Sequence, residues 1–485
     1  MRRSVYLIVA VLSVTAGLVL AGCGSSSSSS NPTATSLSYF PKDSLFVMSI
    51  QTDPNSSAIQ SMQSLLHRFP TITFGEAALT ARLQQLGINY STDVRPLFGN
   101  PAVIGVASPA ASGARANFLV AWVTKDSGTL DNLVKKLHLS SSQTIDGAKV
   151  YNVSTAGLAV DGSTLVLAAS PQALKSALDL HAHGGGLTPA DQSKAMGGLP
   201  KDALIQAFGD LTAVLSQPSA AKAKQVPWVN ALRGYGVSIV ANATGLTFQY
   251  RLDTSGAKLN ESQLPIAPGS TPPGLAGSLP ISVGVKDPSR IWKFVEGAER
   301  ITSPVKYSAF LNRQAAVRAK TGVDLNSLLS LLTGEAALNS DGKVTMIRGQ
   351  LSDPTAGKQT LAKLATQPKA FGSGPVTVSR APGGFYVFKE PAHTTTAGVV
   401  GNELVIGIRA TPAQLTSFAS APATPASGAQ GSVAFRVGLP ALVGLALKQA
   451  QNKTVQTLLS SLGDITGWLA ADPAALTGSA TLGIK

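Results

Sequence analysis

A single cysteine, Cys23, stands in 485 residues. That excludes a disulfide framework and any zinc or iron–sulfur centre built from several thiolates. Charge is sparse as well: Asp, Glu, Lys and Arg make up 13% of the chain, and acidic residues are the scarcer kind, 25 against 39 basic ones. The formal net charge is +14 and the isoelectric point about 9.8. No run of five or six like charges occurs, which argues against a basic arm for nucleic acid. Aromatic residues reach only 6%, and Trp122, Trp228, Trp292 and Trp468 lie in strand or helix patterns, not on a stacking platform. Phosphate-loop, dinucleotide, H-E-x-x-H, EF-hand and G-x-S-x-G motifs are all missing. What the chain has in quantity is apolar side chains, 44%, with a mean hydropathy of +0.18. That fills cores and excludes wholesale disorder, and the length accommodates two or three domains.

The first residues read as an address. Arg2 and Arg3 precede an uncharged apolar run from Val5 to Leu20, which ends in Leu20-Ala21-Gly22-Cys23. The run is short for a membrane span of about 20 residues, and no basic cluster follows it. The ending resembles a lipobox, with the chain's one cysteine at the modified position. The resemblance implies a signal peptide over residues 1–22, cleavage before Cys23, and a diacylglyceryl thioether on its sulfur. At about 0.8 kcal/mol per buried methylene, two or three acyl chains hold a protein stably at a bilayer. Residues 23–37, rich in serine from Ser25 to Ser30, read as a flexible tether. The expected location is therefore the extracytoplasmic face of a cell membrane. The expected partners are that membrane and, through the basic excess, an envelope protein, lipid or acidic wall polymer, with no nucleic acid and no cofactor.

The remainder reads as one unit written twice. Ala156-Gly157-Leu158-Ala159-Val160-Asp161-Gly162, then Leu165 to Leu174, parallels Ala397-Gly398-Val399-Val400-Gly401-Asn402, then Leu404 to Leu415. Each gives a strand, a tight turn at Asp161-Gly162 or Gly401-Asn402, a second strand, and a helix opened by Ser170-Pro171 or Thr411-Pro412. Ser49-Ile50 with Asp53-Pro54 matches Val283 to Val285 with Asp287-Pro288. Asn117 to Thr124 with Asp126 matches Val344 to Leu351 with Asp353-Pro354. Apolar stripes such as Ile59, Met62, Leu65, Leu66 and Phe69 mark amphipathic helices. The expectation is an α+β fold of two homologous repeats, residues 38–255 and 278–485. Each is a mostly antiparallel sheet with helices on one face, and the Pro/Gly-rich residues 256–277 form a linker.

Tyr39-Phe40-Pro41-Lys42-Asp43-Ser44, the strand to Ile50, Asp53-Pro54 and the helix ending at Phe69-Pro70 carry a family likeness. Leu86-Gly87-Ile88 and Asp93-Val94-Arg95-Pro96-Leu97-Phe98-Gly99 extend it. These segments resemble the bacterial lipoprotein family numbered thirty-three fifty-two among the domains of unknown function. The resemblance implies an envelope lipoprotein of this architecture and supplies no catalytic residue.

Candidates for chemistry are few. Of the histidines, His67 and His138 stand at helix C-termini, where a cation is simply favourable, and His393 lies in a loop. His181 and His183, beside Gly184-Gly185-Gly186, are the weak candidates for a metal site; a glycine-stopped helix end accounts for them equally well. Asp53, Asp126, Asp287 and Asp353 recur at repeat-related positions and are expected to cap helices rather than act as acid and base. No catalytic residue emerges. The expected activity is non-enzymatic binding in the cell envelope, with a carrier of lipid or another apolar ligand, or a hydrolase with an unrecognised site, as alternatives.

Overall fold

The computed structural model describes residues 31–68, 80–81, 83–85, 87–106, 118–153, 155–269, 271–367, 376–439, 441 and 460–485. The expected leader, Cys23 and the serine run lie outside the described residues, as do Phe69-Pro70, Leu86 and Asn117. The chain forms two compact units. One comprises Met1–Gln217, Arg233–Asp253 and Ile484–Lys485, the other Pro218–Leu232 and Thr254–Gly483.

The first unit holds strands β1 (Phe46–Ile50), β2 (Ala102–Val106), β3 (Phe118–Val123), β4 (Ser141–Ile145), β5 (Ala148–Val153), β6 (Ala156–Asp161), β7 (Thr164–Ala168), β8 (Ile205–Asp210), β9 (Gly234–Asn242) and β10 (Gly245–Asp253). Every pairing is antiparallel, in the order β10-β9-β8-β1-β2-β3-β7-β6-β5-β4. Side chains alternate across a strand, so on β3 Leu119 and Ala121 enter one core while Val120 and Trp122 enter another. Helix Pro171–His183 covers the first face with Leu174, Ala177 and Leu178. Helix Ser127–Lys136 covers the second with Leu130 and Val134, beside Val94 and Leu97. The sheet is therefore covered on both faces, which corrects the expectation of helices on one. Leu119 to Val123 are all buried, as a strand sandwiched between two layers must be.

The segment Asp93 to Gly99 closes that second core. The Asp93 carboxylate accepts from the Asn89 amide at 2.9 Å and from Lys136 Nζ at 2.6 Å. Leu97 O accepts from the Lys125 amide at 3.0 Å, and the Phe98 ring lies 5.3 Å from that of Trp122. The Asp93 carboxylate ties down the backbone at Asn89, and Val94, Leu97 and Phe98 are core.

The second unit contains a two-residue ladder of β11 (Gly274–Leu275) with β19 (Thr424–Pro425). Its main strands are β12 (Ile281–Lys286), β13 (Leu332–Ser340), β14 (Thr345–Leu351), β15 (Thr377–Ala381), β16 (Phe385–Lys389), β17 (Thr394–Val400), β18 (Glu403–Ile408), β20 (Val433–Val437), β21 (Leu462–Asp472) and β22 (Ala475–Ile484). The antiparallel order runs β21-β20-β12-β13-β14-β18-β17-β16-β15. Strand for strand this is the connectivity of β9-β8-β1-β2-β3-β7-β6-β5-β4. Both units are α+β.

The turn chemistry agrees in detail. Gly162 (φ 56°) and Gly401 (φ 60°) each take the first central place of their hairpin, where a positive φ is needed. Ser170 Oγ then accepts from the Ala173 amide at 3.1 Å, and Thr411 Oγ1 from that of Gln414 at 3.3 Å. The stretch 256–277 departs from expectation. Leu264 and Ala276 are fully buried, and Leu264 and Ile266 pack with Val433 and Ala471 inside the second unit. Proline and glycine there leave little regular structure beyond β11 and one short helical turn, Glu261–Gln263, without removing burial. Among the described residues no helix is long and apolar enough to cross a membrane.

Candidate functional site

Helix Pro171–His183 organises the polar cluster of the first unit. It lies close on β6 because residue 157 is glycine: a Cβ there would come within 2.6 Å of Leu174 Cβ and 2.9 Å of Ser170 O. The helix end thus brings the His181 ring over Tyr39, with centroids 4.2 Å apart and planes 14° from parallel. Tyr39 follows helix Pro32–Leu37, is fully buried, and donates its hydroxyl to Asp161 Oδ2 at 2.8 Å. Burial, reinforced by that carboxylate, pushes the Tyr39 phenol far above its ordinary range. It remains a neutral donor at any physiological pH.

His181 completes the cluster. Its Nδ1 lies 2.6 Å from Ser38 Oγ and its Nε2 3.7 Å from Asp161 Oδ2. Ser38 Oγ also lies 2.7 Å from Thr35 O, and the histidine tautomer decides which of the two contacts its single proton serves. Ser38, His181 and Asp161 stand in a Ser–His–Asp series, with the carboxylate 3.7 Å from the imidazole and already hydrogen-bonded to Tyr39. Nucleophilic activation needs the serine to donate to the imidazole and the carboxylate to hold the other imidazole nitrogen.

A half-open pocket of about 520 Å³ adjoins the cluster, lined among others by Tyr39, Phe118, Leu119, Ala173, Leu180 and His183. Its wall is mainly apolar. Ser176, Asp179 and His183 add polar groups on the helix side. His183 is 70% exposed, with Nδ1 3.0 Å from Asp179 O and 3.2 Å from Asp179 Oδ1. Residues two apart on a helix lie about 200° around its axis. His181 therefore turns inward to Ser38 and His183 outward to Asp179, and the fold does not gather the two candidate metal ligands. Among the described residues no group of three or more His, Cys, Asp or Glu is placed to hold a metal ion.

The remaining candidates stay scattered. His67 is the C-terminal cap of helix Ser57–Leu66, His138 follows helix Ser127–Lys136 at φ 51°, and His393 faces Glu390 at 3.6 Å. Asp126 and Asp353 do cap, accepting from the amides of Thr129 at 3.0 Å and Ala356 at 2.9 Å. Asp53 and Asp287 do not. Asp53 accepts from the Asn55 amide at 3.0 Å while Ser56 caps the helix. The left-handed backbone of Asp287 (φ 47°) turns its carboxylate off the helix amides to Ser289 Oγ at 2.6 Å and Arg290 at 3.5 Å. Sequence reasoning did not assemble Ser38, Tyr39 and Asp161 with His181. The pairs are separated by 143 and 122 residues, and no linear spacing encodes such a meeting.

The family described as "Protein of unknown function (DUF3352)" matches residues 4–379. No curated protein matches the chain. Among solved structures, crystal form III of TP0453 is similar over 46% of this chain and 82% of that one, at 8% identity and a TM-score of 0.27. Crystal form I of the same protein covers 48% and 83%, again at 8% identity and 0.27.

Proposed function

Taking as premise that the chain belongs to the DUF3352 family of proteins of unknown function, we propose that it is a lipid-anchored envelope lipoprotein that acts by binding. The leader, the lipobox-like Leu20-Ala21-Gly22-Cys23 and the serine tether support the anchor and its extracytoplasmic side. The shared strand order of the two units supports their origin as a tandem repeat. The observation that carries the binding reading is the pocket of about 520 Å³ in the first unit, within the roughly 300–1,000 Å³ range of small-molecule sites. Its apolar wall at Phe118, Leu119 and Leu180, with polar groups at Asp179 and His183, suits a small amphiphile.

The test fills the pocket. Ser176 is exposed and lines it, so Ser176→Phe is expected to fold normally and to lose the small molecules that co-purify with the wild type, read by native mass spectrometry. Retention of the same molecules by the filled variant refutes the site. Labelling cells with an alkynyl fatty acid tests the anchor separately: wild type is labelled and Cys23→Ser is not.

A second reading, hydrolysis, is favoured by one observation, the Ser38–His181–Asp161 series. A fluorophosphonate that labels the wild type but not Ser38→Ala establishes it. The 3.7 Å gap between the imidazole and an Asp161 carboxylate already bonded to Tyr39 favours binding, and no labelling is expected.

A further inference from the structure

The second unit carries a helical hairpin, Pro288–Thr302 and Pro304–Thr321, that the pocket reading leaves unexplained. The first helix is strongly amphipathic, yet none of its residues is fully buried. Ile291 and Phe294 on its apolar stripe meet the unit's own core beside Trp228. The edge toward the second helix is left open. There a groove of about 270 Å³ is lined by Trp292, Val295, Glu296, Tyr307 and Phe310 among others, with the Trp292 and Phe310 rings 5.5 Å apart. At the turn of the hairpin Val305 is 82% exposed, and Val295 and Leu311 are 44% and 40% exposed. A valine left almost wholly in water beside an open aromatic groove is the signature of a surface that meets something apolar.

Charge says what. Residues 288–321 carry seven basic side chains and two acidic ones, and Lys293, Arg300, Lys306 and Arg313 are all exposed. A basic hairpin with an apolar tip and Trp and Tyr rings is complementary to an anionic bilayer. Headgroup phosphates meet the lysines and arginines, the rings occupy the interfacial layer, and Val305 reaches the acyl boundary. We infer that the hairpin 288–321 is a membrane-docking element that binds the surface of anionic phospholipid bilayers. The contact is independent of the acyl anchor, although an anchored protein would have the bilayer within constant reach.

The experiment removes the anchor, so that its outcome is separate from the fate of the lipoprotein reading. The chain 23–485 carrying Cys23→Ser is sedimented with vesicles of phosphatidylglycerol and phosphatidylcholine, and with vesicles of phosphatidylcholine alone. Binding is expected only to the anionic vesicles and to fall with salt. Each basic side chain near such a surface contributes about fivefold in affinity. The triple variant Lys293→Glu/Lys306→Glu/Arg313→Glu is therefore expected to bind at least about 100-fold more weakly. Val305→Asp, at a site exposed enough to leave folding intact, is expected to weaken binding about tenfold or more.

The control Lys135→Glu/Lys194→Glu/Lys201→Glu makes the same change of net charge at exposed positions of the first unit and is expected to bind nearly as wild type. Absence of binding to anionic vesicles overturns the inference. So does equal weakening by the two triple variants, which would reduce the effect to net charge. So does a dimer dispersed by Val305→Asp without vesicle binding, which would make a second copy the occupant.

Discussion

Removing one oxygen atom tests the polar cluster most directly. In Tyr39→Phe the ring keeps its place, fully buried and stacked on His181, and only the hydroxyl bonded to Asp161 Oδ2 at 2.8 Å is lost. A hydrogen bond to a charged group contributes about 1.5–3 kcal/mol. The Asp161 side chain is 26% exposed, so water can replace part of the lost donor and the lower end applies, about 1.5 kcal/mol. For a cooperative unit of this size that corresponds to a fall in Tm of roughly 3–6 °C. Urea unfolding, with hydrogen exchange at the β6–β7 hairpin to assign the transition to the first unit, measures the loss. Combined with Asp161→Asn and the double variant, it is expected to give a coupling energy of about 1 kcal/mol. The pH dependence has a definite sign. The Tyr39 phenol is raised in the folded state, so its stabilisation is complete below the ordinary tyrosine range near pH 10 and declines above it. The gap between wild type and Tyr39→Phe is expected to narrow above that pH. A variant within about 0.3 kcal/mol of wild type, or a coupling energy of zero, refutes the reasoning.

Three further perturbations address other parts of the fold. Gly157→Ala places a methyl 2.6 Å from Leu174 Cβ and 2.9 Å from Ser170 O, and is expected to cost about 1–3 kcal/mol in unfolding free energy; an unchanged urea midpoint would show the helix free to move off the sheet. Lys136 and two further hydrogen bonds hold the Asp93 carboxyl below its usual range. Asp93→Asn is expected to destabilise by about 1 kcal/mol at neutral pH, a deficit that closes as acid titrates the wild-type carboxylate, and a deficit independent of pH would refute it. Burial raises the Glu403 carboxyl against the opposing pull of Arg348, and its Oε2 is buried without a hydrogen-bond partner. Glu403→Gln is therefore expected to raise the unfolding midpoint at pH 7 and to lose that gain near pH 4; a lower midpoint at pH 7 would show that attraction to Arg348 outweighs burial.

Local chemistry was legible wherever it is written in neighbouring residues. Ser170-Pro171 and Thr411-Pro412 announce helix starts because a cap needs only a side-chain oxygen and amides within one turn. Gly162 and Gly401 announce hairpins because a positive φ is a property of one residue. The parallel order of these signals was enough to give the common connectivity of the two units and their α+β class. The same reading failed where a residue's role depends on distant partners. Leu264 and Ala276 sit among loop-forming residues and are nevertheless buried, because burial is decided by the strands that pack over them. The carboxylates of Asp126 and Asp287 both precede helices, and only the backbone conformation, fixed by the surrounding fold, turns one toward the helix amides and the other away. His181 and His183 are two residues apart in sequence but belong to different environments, since the helix surface rotates between them. His181 meets Ser38, Tyr39 and Asp161 only because strand pairing and the absence of a Cβ at Gly157 let helix Pro171–His183 settle on the sheet. The sequence by itself determined the local elements that caps and turns announce, and their order, which rest on interactions within a few residues. The polar cluster, its pocket and the uncovered hairpin were decided by packing between segments more than a hundred residues apart or by its absence, and that information exists only once the chain has folded.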